Sequence, residues 1–116
     1  MAADLRAAYL AMRRSGTGDF PPECLEYLLH LILRSSYQGK GFRDVPASEL
    51  CRTLRLQAAD DFGDLAGEAM ERFGLRSGDD VGRAVFLLAE YGCLTLREGE
   101  TRADYAAAGP FEFGRG

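Results

Sequence analysis

Apolar residues recur at helical spacing from Leu5 to Tyr91, and the pattern changes only near the C-terminus. Leu5, Ala8, Tyr9 and Met12 share one face of a first helix over residues 3–14, which ends at Ser15-Gly16-Thr17-Gly18. Asp19-Phe20-Pro21-Pro22-Glu23 signals a new start, because proline fits the first helical turn, where its missing N–H would have no partner. The helix that follows, 21–36, carries Leu25, Leu28, Leu29, Ile32 and Leu33 as its main stripe, widened by Cys24, Tyr27 and Leu31. An apolar surface over most of the circumference predicts a central helix covered on several sides. Residues 35–46 are rich in turn formers and read as a loop. A third helix, 47–62, buries Leu50, Leu54 and Ala58 and stops at Gly63, the glycine supplying a left-handed cap. A short fourth, Asp64 to Phe73, points Leu65, Ala69, Met70 and Phe73 inward and stops at Gly74.

Ser77 followed three residues later by Asp80 is an N-terminal capping signature, with Asp79 a second carboxylate at the positive end of the helix dipole. That helix runs to about Tyr91 on a face of Val81, Ala84, Val85, Leu88 and Ala89. Gly82 is expected to admit a close neighbour, and Gly92 to turn the chain. Leu94-Thr95-Leu96-Arg97 then alternates as a half-buried strand, Glu98-Gly99-Glu100 turns, and Thr101 to Tyr105 returns antiparallel. Residues 106–116 form an Ala- and Gly-rich tail around Phe111 and Phe113. The expected fold is mainly α with a small C-terminal β-hairpin, a winged-helix-like unit preceded by two helices, within one domain over 1–116. A plain helical bundle is the alternative.

A hydrophobic fraction of 47% and a charged fraction of 28% are those of a globular chain. No segment has the length and hydropathy of a membrane span or the layout of an export signal, so a cytoplasmic location is expected. The formal net charge of -4 disfavours polyanionic partners. Cys24, Cys51 and Cys93 are odd in number and widely separated, which argues against a disulfide framework or a zinc site and for small buried hydrophobes.

Several stretches together resemble a known family, the uncharacterised conserved hypothetical proteins restricted to verrucomicrobia and planctomycetes. They are Asp19-Phe20-Pro21-Pro22-Glu23 leading into Tyr27, Phe62-Gly63 ahead of Leu65-Ala66, and Phe73-Gly74-Leu75-Arg76-Ser77. Asp80, Gly82, Val85-Phe86, Leu88, Glu90, Gly92, Leu94, Arg102, Asp104 and Tyr105 extend the likeness over most of the chain. No catalytic residue is known for that family, so the resemblance implies none here. This sequence departs from it at Leu87, where relatives tend to have Asn, at Pro46, where they tend to have a capping Ser, and in its shortened acidic tail.

The chemistry on offer is sparse. His30 is the only histidine, which removes nucleophile–histidine pairs and multi-histidine metal sites within one chain. On the second helix it reads as a structural histidine with its hydrogen bonds satisfied. Gly39-Lys40-Gly41 lacks the surroundings of a phosphate loop. Asp60, Asp61, Asp64, Glu68 and Glu71 read as a solvated acidic face. No catalytic residue, metal or cofactor is therefore expected. The leading functional expectation is a non-enzymatic protein–protein interaction or assembly module, with Phe111 and Phe113 as docking residues and an unknown protein or a second copy as partner. The alternative is a winged-helix nucleic-acid-binding regulator using Arg83, Arg97 and Arg102, against which Asp79 and Asp80 stand at the start of the helix that would read the groove.

Overall fold

The computed structural model describes residues 5–16, 20–37, 47–94 and 101–111. Helices α1 (Leu5–Ser15), α2 (Pro22–Tyr37) and α3 (Ala47–Phe62) come first. A 3-10 turn (Gly63–Leu65) then leads into α4 (Ala66–Phe73), α5 (Gly78–Glu90) and a short α6 (Arg102–Ala106). The core is built from α2, α3, α4 and α5, with Leu25, Leu28, Leu50, Leu54, Met70, Val81 and Leu88 fully enclosed. No buried polar side chain occurs among the described residues, so apolar burial holds the helices together. Around the far side of α2, Tyr27, Phe62 and Phe73 form an aromatic trio with centroids 5.6 to 6.3 Å apart. Tyr27 Oη donates to Asp61 Oδ2 at 2.7 Å, which fixes the α2–α3 register.

Two helix ends use one device. At α4, Leu75 N–H donates to Met70 O at 2.9 Å and Gly74 N–H to Glu71 O at 3.0 Å. At α5, Cys93 N–H donates to Leu88 O at 2.8 Å and Gly92 N–H to Ala89 O at 3.1 Å. Both glycines have φ near +80°, and both residues that follow, Leu75 and Cys93, are buried against the core. Each glycine thus converts a helix end into an inward turn that side-chain-bearing residues would adopt only under strain.

The expected hairpin is overturned. Among the described residues there is no strand, and the segment expected to return as one, Thr101 to Tyr105, is the start of α6. The physical reason lies in Asp104, whose Oδ2 accepts the Thr101 N–H at 2.9 Å and so satisfies a free donor at a helix start. Of the other strand, 95–97 lies outside the described residues. With no wing, the winged-helix expectation is withdrawn, and the plain helical bundle fits. The tail expected from residue 106 is, as far as Phe111, laid on the Ser77 segment. There Gly78 N–H donates to Gly109 O and Phe111 N–H to Arg76 O, both at 2.9 Å, flanking a single antiparallel bridge between Ser77 and Pro110. Pro110 occupies the one register position where the bridge asks for no N–H, which is where proline costs nothing.

Candidate functional site

The backbones of α5 and α6 approach closely where glycine stands on α5. Gly78 and Gly82, one turn apart, leave a furrow along α5 into which Tyr105 inserts and becomes wholly buried. A Cβ at Gly82 would stand 2.9 Å from Tyr105 Cβ, and one at Gly78 would overlap the Tyr105 carbonyl oxygen. Phe86, a further turn along, meets the Tyr105 ring edge-on at 6.3 Å. Ser77 caps this helix as expected: its Oγ accepts the Asp80 N–H at 3.4 Å, while Asp80 Oδ2 accepts the Arg76 N–H at 2.9 Å.

Two of the three cationic residues considered for nucleic acid, Arg83 and Arg102, are drawn into that same corner. Arg83 Nη1 lies 3.4 Å from Asp80 Oδ1, and its guanidinium sits over the Phe20 ring at 5.2 Å. Arg102 Nη2 lies 3.4 Å from Asp79 Oδ1. Arg97 lies outside the described residues. The structure therefore brings Arg83 and Arg102 onto the acidic start of α5, each matched by one of its two carboxylates. Of the two aromatic residues proposed for docking, Phe111 is half-buried against the core with the Arg55 guanidinium 5.9 Å from its ring centroid. Phe113 lies outside the described residues.

The thiols are all free and buried. Burial, reinforced by the nearby Asp80 carboxylate, pushes the Cys24 thiol up to about 12. Burial likewise pushes Cys51 up to about 11, against the lowering pull of Arg55. At neutral pH both therefore hold their protons, and a protonated thiol is a poor nucleophile. Among the described residues no group of three or more His, Cys, Asp and Glu side chains is placed to hold a metal ion. Likewise, no described helix is long and apolar enough to cross a membrane.

What the molecule does leave open is a cleft of about 640 Å³ between α1 and α2. α1 buries only Ala8 and Met12 completely, and Leu5 and Tyr9 on the adjoining face are half-covered. Leu10 is 51% exposed on one wall and Leu33 47% exposed on the other, above a floor that includes Leu25 and Leu29. Arg6 from α1, and Glu26 and His30 from α2, supply the polar groups of the lining. His30 is exposed on the α2 wall of this cleft. One expectation is corrected here: Leu33, placed on the main apolar stripe of α2, is nearly half in solvent. The apolar excess of α2 that the sequence shows is thus only partly covered, and the uncovered part faces α1. Sequence periodicity missed the site because it marks which residues are apolar without saying which are left without a neighbour. Leu65 is a further correction: expected inward, it is 62% exposed on the 3-10 turn.

No protein-family model matches this chain, and no curated protein and no solved structure matches it significantly.

Proposed function

We propose that this chain is a non-enzymatic protein-interaction or assembly module that engages its partner through the α1–α2 cleft. The observation that carries the reading is the pair Leu10 and Leu33, each about half exposed and facing one apolar recess from opposite walls. Covering the exposed half of each would contribute on the order of 1 kcal/mol, and the two lie close enough to be covered by one partner. Buried, protonated thiols and a lone exposed histidine support a binding role over a catalytic one. Nucleic acid is not the partner in this reading, because Arg83 and Arg102 are matched by Asp80 and Asp79 and the chain carries net charge -4. The likeness to the verrucomicrobial and planctomycete proteins remains part of the proposal and adds no residue role.

The test is affinity capture from cells that naturally make the protein, comparing wild type with Leu33→Glu and Phe111→Ala by quantitative mass spectrometry. Proteins retained by Phe111→Ala and lost with Leu33→Glu are the expected result. Equal capture by both variants, or loss with Phe111→Ala alone, would reject the cleft as the binding surface.

A further inference from the structure

Resting on the reading of the cleft as a binding surface, we propose that its occupant is a second copy of this chain, related by a two-fold axis that sets α1 of each protomer on α2 of the other. The lining carries one charge of each sign on opposite walls, Arg6 on α1 and Glu26 on α2. Neither side chain forms an ion pair with another described residue. A partner presenting a single sign of charge meets one attraction and one repulsion on this rim. A copy of the same rim, turned about a two-fold, meets two attractions, Arg6 to Glu26 and Glu26 to Arg6, because an isologous contact uses every pair twice. The exposed leucines Leu10 and Leu33 lie on the same two walls as these charges, so the pairing that matches charge also covers both leucines. Charge complementarity of this kind selects the partner and its orientation, while the apolar contact holds it.

The experiment measures self-association by sedimentation equilibrium from micromolar to millimolar protein for wild type, Arg6→Glu, Glu26→Arg and an equimolar mixture of the two variants. Both positions are exposed, and circular dichroism checks that each variant is folded. The expected result is a wild-type dimer, a loss of affinity of about tenfold or more in each variant alone, and recovery in the mixture. Recovery in the mixture is the decisive reading, because in a mixed dimer both contacts across the axis again join an acid to a base. One is the exchanged pair, with the charges of the two positions reversed, and the other is the native pair of Glu26 with Arg6. A pair acting within one chain would be restored only by placing both substitutions on the same molecule. A wild-type monomer throughout the range, a dimer indifferent to both substitutions, or a mixture as weak as its components overturns the proposal. If the wild type is monomeric and the capture experiment still finds a Leu33-dependent protein, the cleft stands as a binding surface and only the second copy is rejected. If both fail, both readings fall.

Discussion

Helices α5 and α2 each carry apolar residues around much of their circumference, and the two are covered in different ways. On α5 the side facing α6 is narrowed by Gly78 and Gly82 and filled by Tyr105, with hydrogen bonds to the Gly109 and Phe111 backbone sealing the edge. On α2 the flank facing α1 meets, among the described residues, a short helix with two fully buried residues, and a recess stays open between them. The difference teaches where a binding surface resides in so small a domain. A helix face supplied with a matched furrow and plug is spent on folding, and a face with large side chains and no plug is left for something else.

The comparison breaks first at its closed end. Tyr105→Ala is expected to cost about 3–5 kcal/mol, the range for emptying a fully enclosed aromatic site. Gly82→Ala should cost about 1–3 kcal/mol by overpacking. Chemical denaturation of both variants checks this, and a Tyr105→Ala midpoint equal to wild type would show that α6 is an ornament on α5.

Alkali probes the interior on which both helices rest. Below pH 9 folded and unfolded chains alike hold the protons of Cys24 and Cys51, so stability does not depend on these thiols there. Above pH 9 the unfolded chain releases them, while the folded chain keeps them until about 11 for Cys51 and about 12 for Cys24. Each thiol should then lower stability by about 1.4 kcal/mol per pH unit across its own window. Denaturation series from about pH 8 to about pH 10.5 on wild type and Cys24→Ala test it; the variant should lose roughly half of the steepness. Equal slopes would show that Cys24 is not shielded from solvent.

The smallest effect is expected at the open end. Leu33→Ser, measured at a dilution where the chain does not associate, should change stability by less than about 0.5–1 kcal/mol, as surface changes do. A loss comparable to that of Tyr105→Ala would mean that α1 closes over Leu33 and that the recess is not available.

How much of this was legible in the sequence depends on the kind of signal. Helices α1 to α5 were, because their stripes are long and their ends carry strong local chemistry, from Pro21-Pro22 to Gly63, Gly74 and Gly92. The α5 cap was read from Ser77 and Asp80, and the close approach at Gly82 from the missing side chain. Yet Thr101 and Asp104 repeat the same spacing and the same logic, and there the alternation of Leu94 and Leu96 prompted a hairpin. Five residues of helix are too few to show a period, so only the cap could have announced α6. The recess on α2 was half legible: an excess of apolar surface was visible, its location was not. Which flank of α2 stays bare depends on how far α1 reaches, a tertiary fact that Leu33 and His30 do not encode locally.

The furrow on α5 also sets a timetable. Gly78 and Gly82 are synthesised before the residue that fills them, and at rates of roughly 5–20 residues per second Tyr105 is added about one to five seconds after Gly82. Until Tyr105 docks, α5 can pack its inner face on α2 and α3, but its outer face has no occupant. The newborn chain therefore passes through a state in which Phe86 and the glycine furrow are bare. Whatever protects it, whether a chaperone or the speed of folding itself, has to act on that surface until α6 arrives.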